Sequence, residues 1–153
     1  MTLAQTLLAT LTLSVTLNCS AEPDYGARVV GPWQCQTLIA SLYGDYQVLG
    51  DIDLQANNRF SANGDLLLSS PSFQTTLPLL FKAQGQWHFS ANRIKADQLS
   101  GSISSVYPLL TAFAQNLQQQ LLQEPSFQVR LSRIGTKTMT LVASDDTEIN
   151  CHR

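Results

Sequence analysis

The chain has 153 residues, a formal net charge of −2 and only 13% charged residues, about half the usual share. That length predicts one domain with enough chain to bury a core, and the weak charge balance gives no electrostatic basis for binding nucleic acid or an anionic membrane. Beyond the first twenty residues no apolar run reaches ~18 residues, so no helical membrane span is expected in the mature chain.

Leu3 to Leu17 is uncharged and rich in Leu, Ala, Val and Thr. This is the apolar segment of a secretory leader, too short and too Thr-rich for a membrane span. The first cation is Arg28, so the usual basic start is missing; a true start upstream of Met1 would account for that. Cys19-Ser20-Ala21 forms a small-x-small cleavage site before Glu22, which predicts a signal peptide over 1–21 and one domain over 22–153. The competing reading is a lipoprotein signal acylated on Cys19, although Leu17 and Asn18 fit that box poorly. A third is an N-terminal helix packed on the domain. The expected location is therefore periplasmic or secreted, with a lipoprotein tethered through Cys19 as the alternative.

Cleavage or acylation both leave two cysteines. In an exported chain Cys35 and Cys151 predict a disulfide that ties the two ends of the domain. A redox pair normally sits as C-x-x-C, and neither cysteine does.

Period-two alternation begins at Tyr46 and runs through Val48, Gly50, Ile52 and Leu54, the pattern of a half-buried strand. Asn57-Asn58 predicts a tight turn. Phe60, Ala62, Leu66 and Leu68 continue on a second strand, with a bulge or bend at Gly64. Ser69-Ser70-Pro71-Ser72 breaks the run. The longest alternation follows on odd positions from Phe73 through Thr75, Leu77, Leu79, Phe81, Ala83, Gly85, Trp87 and Phe89 to Ala91, with Pro78 and Gly85 as bends. Ile94, Ala96 and Leu99 predict a return strand ending before Gly101.

The period then changes. Val106, Leu109, Leu110, Phe113, Leu117 and Leu121 recur at three and four, predicting one long amphipathic helix over about 105–124, capped by Ser104 or Ser105 and stopped by Pro125. Phe127, Val129 and Leu131, then Met139, Leu141 and Ala143, then Ile149 and Cys151 read as closing strands, with turns at Gly135 and Asp145-Asp146. The expected fold is α+β and mostly β: a curved antiparallel sheet or partial barrel, with the helix on its concave side or across its mouth.

Gly31-Pro32-Trp33-Gln34-Cys35, the G-x-W at Gly85-Gln86-Trp87 and the terminal Cys151-His152-Arg153 resemble small exported bacterial domains with a lipocalin-like (calycin-like) sheet. Those barrels often start at a G-x-W, and the helix inserted before the last strands departs from them. The resemblance implies an apolar small-molecule site inside the sheet.

Catalytic chemistry is not visible. There are two histidines, His88 on the outward face of its strand and His152 at the end, and no serine lies in G-x-S-x-G. Asp51-x-Asp53 and the Asp145, Asp146, Glu148 group lack a calcium-loop pattern, and no zinc set appears. Arg130, Arg133 and Lys137 read as an outer charged face. No cofactor is expected, nor any enzyme activity. The aromatic residues Trp33, Phe81, Trp87, Phe89, Tyr107 and Phe113 are the candidate ligand-lining set, with plain core as the competing reading. The leading expectation is a non-enzymatic exported accessory or protein-binding domain whose partner is another exported protein. The alternative is a carrier or sensor of a small lipophilic ligand held between sheet and helix. A filled interior favours the first; an open apolar cavity favours the second.

Overall fold

The computed structural model describes residues 24–41, 44–69, 76–124 and 126–153. The expected leader with Cys19 and Ala21, the Ser70, Pro71 and Ser72 of the expected break, Phe73, Thr75 and Pro125 lie outside them, whereas Ser69 of that break still belongs to a strand.

Eight antiparallel strands form one closed barrel in sequence order. They are β1 (Gly31–Ser41), β2 (Gly44–Leu54), β3 (Arg59–Ser69), β4 (Leu77–Ser90), β5 (Arg93–Ser104), β6 (Ser126–Ile134), β7 (Thr138–Val142) and β8 (Glu148–His152). The expected curved sheet or partial barrel is thus corrected: β8 returns to β1 and closes the wall, pairing Gln34, Cys35 and Gln36 with His152, Cys151 and Asn150. Where the strands pair, closure covers the edges that an open sheet would present. Cys35 and Cys151 are opposed in that seam and joined as a disulfide across 116 residues of chain.

The wall is uneven. β1 to β5 run 11 to 14 residues, whereas β7 and β8 have 5 each. β6 stops pairing with β5 at Asp97, so β5 continues to Ser104 with no strand beyond it. That continuation past Gly101 corrects the expected end of the return strand. The inserted helix covers this bare stretch. α2 (Thr111–Gln123) packs on β5, and the Gln118 side-chain oxygen accepts from Ile103 N–H at 2.9 Å, the position of a missing strand partner.

The helix is shorter than 105–124. A 3-10 turn at Pro108–Leu110 precedes it, with Pro in its first turn, and Ser104 still belongs to β5. Neither Ser104 nor Ser105 caps α2: Leu110 stands at its N-cap, and the Ser105 hydroxyl accepts from Tyr107 N–H in the preceding turn. Val106 and Leu109, counted in the apolar stripe, are 71% and 96% exposed, and Leu121 is exposed too. Ala114, Phe113 and Leu117 face inward with Leu79 and Ile103.

Alternation is as expected through β2, β3 and β4, with the turn at Asn57-Asn58, where Asn58 takes φ 63°. Gly64 carries no bulge. It pairs in register with Gly50 and Phe81, and a Cβ there would run into the Leu49 and Gly50 backbone. The irregularity falls at Gly85, where the β4–β5 register shifts between Gln84 and Gln86.

At the opposite end a short helix absent from the sequence expectations, α1 (Tyr25–Val29), is capped by Asp24, whose carboxylate accepts from Ala27 N–H. Trp33 is 1% exposed and its indole N–H donates to the Val29 carbonyl at 2.8 Å. Trp87, Ile94, Val129, Leu131 and Met139 complete a packed floor around it.

Candidate functional site

Inward positions of the barrel differ in size from one side to the other. Across β2, β3, β4 and β5 they include Gly50, Ala62, Ala83 and Ala96, whereas β6, β7 and β8 present Phe127, Val129, Met139, Leu141 and Ile149. Cross-strand pairing brings Ala62 opposite Ala83 and Gly50 opposite Gly64. The small side chains leave space that the large ones do not reach. The result is a cavity of about 250 Å³. Gly50 shapes it further: a Cβ there would stand 2.8 Å from Phe81 Cζ, so the ring lies against bare backbone.

The lining is apolar. Trp87 forms part of the deep wall, and its indole N–H is occupied by the Gln55 carbonyl at 3.0 Å. Gln36 and Thr37 are the polar residues that touch the space. Among the described residues no Asp, Glu, Lys, Arg or His borders it. Ile39 and Phe127 lie on the inward faces of β1 and β6 yet are 39% and 47% exposed. β1 continues past its last pair with β8 at Gln36, so the mouth lies in the wall gap between upper β1 and the start of β6. A cavity with such walls favours apolar occupants over water.

The six candidate aromatic residues separate. Phe81 and Trp87 line the cavity. Trp33 belongs to the packed floor, with Phe89 against it. Phe113 sits in the cluster beneath α2, and Tyr107 is half exposed in the turn before it. The expected site between sheet and helix is corrected in the same way. The cavity is bounded by strands, and α2 contributes the adjoining cluster rather than a lining residue. The residues missed were the small ones, Gly50, Ala62, Ala83 and Ala96, together with Thr37; their alternation with bulky neighbours was the available signal.

No protein-family model matches the chain, and no curated protein matches it.

The other chemistry weighed from sequence lies on the outside. His88 Nδ1 is 3.7 Å from Asp97, which also meets Lys95 at 3.4 Å. Among the described residues no hydroxyl is hydrogen-bonded to His88. Asp145 accepts from Thr147 N–H, and this bond holds its carboxyl below the usual pKa. It thus serves the β7–β8 turn, and among the described residues no group of three metal-ligating side chains assembles.

Proposed function

We propose that the protein is a non-enzymatic, exported carrier or sensor that holds a small lipophilic ligand inside its barrel. The observation that carries this reading is the apolar cavity. An apolar space of about 250 Å³ left unfilled forgoes the packing contacts that larger side chains would supply. A site whose filling would need only larger side chains at Ala62 or Ala83 is kept open for a reason other than folding.

The lipocalin-like resemblance points the same way. Two of its motifs meet in space, with Arg153 of C-x-R over the Trp33 ring of Gly31-Pro32-Trp33 at 4.2 Å. The disulfide is typical of secreted or periplasmic proteins, in keeping with the leader read from residues 1–21, and tethering through Cys19 remains the lipoprotein version of that location. Among the described residues no helix is long and apolar enough to cross a membrane.

Native mass spectrometry of protein purified from its own host tests the reading. A bound lipophile appears as added mass that solvent extraction removes. Protein carrying no adduct, combined with no uptake of any lipophile added afterwards, would refute it.

The accessory or protein-binding role is the second reading, favoured by the exposed Val106 and Leu109 beside α2. Leu109→Ser separates the two, because it abolishes a partner contact on that face and leaves ligand uptake intact.

A further inference from the structure

Resting on the carrier reading, we propose that the ligand is a neutral, single-chain alkyl alcohol of about eight carbons, with its hydroxyl at Thr37. Three observations converge on this class: the size and shape of the cavity, the charge around its mouth, and the hydrogen-bonding state of Thr37.

Size comes first. At ~30 Å³ for each water-sized group, about 250 Å³ accommodates about eight carbon-sized groups. The shape is elongated. Along β2 the lining runs from Val48 to Leu54, ~20 Å at ~3.3 Å per residue. A barrel tilt of ~40° reduces this to ~15 Å along the axis. Spreading about 250 Å³ over that depth leaves a mean section of ~17 Å², which suits one methylene chain and is narrow for a fused ring system.

Charge comes second. Among the described residues no cation borders the cavity. A groove that shares Gln36 and Thr37 with the cavity is lined also by Leu38, Gln47, Glu148 and Asn150, and its charged residue is the acidic Glu148. A carboxylate or phosphate head would stand beside a like charge, with no cation among the described lining residues to neutralise it. A neutral head avoids that.

Thr37 supplies the polarity. Its hydroxyl already donates to the Glu148 carbonyl at 2.6 Å. A hydroxyl has one proton and two lone pairs, so Thr37 meets a ligand as an acceptor and selects a head group that donates. An alcohol does; an ether or an ester does not.

The test is a calorimetric titration of the full mature chain with 1-octanol, octanoate at pH 8, cyclooctanol and the methyl ether of 1-octanol. The expected result is binding of 1-octanol at least tenfold tighter than octanoate or cyclooctanol. Thr37→Val weakens 1-octanol about fivefold and leaves the methyl ether unchanged. Octanoate equal to 1-octanol overturns the neutral head. Cyclooctanol equal to 1-octanol overturns the slender chain. Equal effects of Thr37→Val on alcohol and ether overturn the role of Thr37. If none of the four binds while a different lipophile co-purifies, the alkanol class is wrong and the carrier reading stands. If none binds and nothing co-purifies, both fall.

Discussion

The Arg153 guanidinium lies over the Trp33 indole, 4.2 Å from the ring centroid. The same group donates to the carbonyls of Val30 at 2.9 Å, Thr136 at 3.2 Å and Arg28 at 3.4 Å. One side chain thus ties α1, the start of β1 and the β6–β7 turn over the floor of the barrel. Arg153→Ala is expected to cost about 2 kcal/mol, the sum of a cation–π contact and the carbonyl bonds. Arg153→Lys should restore less than half, because an ammonium has no planar fork. Urea unfolding of the two variants measures both.

The seam between β1 and β8 has few ladder pairs, and the disulfide lies within it. Cross-linking a loop of 116 residues restricts the unfolded chain by ~4–5 kcal/mol in the chain-entropy model. Reduction, or the Cys35→Ala/Cys151→Ala pair, should lower the unfolding free energy by about 4 kcal/mol. Denaturation with and without reductant reads it.

Gln118 stands in for a strand where β6 fails to reach β5. Gln118→Ala leaves the Ile103 N–H without its partner and should cost about 1 kcal/mol. The local signature is faster amide hydrogen exchange at Ile103 than at Ala96, which lies deeper in the same strand.

Ala91 and Asn92 turn β4 into β5 with positive φ at both, 48° and 58°. Asn tolerates that region; alanine does not. Ala91→Gly relieves the clash and adds freedom to the unfolded chain. The net expected gain is ~0.5–1 kcal/mol, read as a raised thermal midpoint.

Much of this fold is legible in the chain because period two survives where one face is buried. From Leu77 to Phe89 the inward residues are all apolar or glycine, and the outward Lys82, Gln84, Gln86 and His88 are polar. β1 escapes the same test: it faces Thr37 inward and Leu38 outward, which blurs the pattern. The helix starts later than the spacing predicts because Val106 and Leu109 keep helical spacing yet stand in solvent on either side of Pro108, ahead of α2. Closure depends on pairing between residues 34–36 and 150–152, a long-range contact that local periodicity does not encode beyond the cysteines themselves. The cavity was legible only as a choice among aromatic residues. Its volume comes from what Gly50, Ala62, Ala83 and Ala96 lack, and a sequence pattern weighted toward large side chains passes over them.

Ala83 faces the cavity from β4, opposite Ala62. Ala83→Leu fills vacant space with apolar atoms, so the free protein should gain about 1 kcal/mol in stability while losing its ligand. A site that serves only packing would show no such opposition between stability and binding.

Trp87 lines the cavity and Trp33 does not, so the most direct measurement follows tryptophan emission during titration with 8-bromo-1-octanol, whose heavy atom quenches on contact. Saturable quenching in the wild-type protein, absent in Ala83→Leu, is the predicted result. Emission that stays unquenched, or quenching that is identical in the two proteins, would contradict a ligand chamber within the barrel.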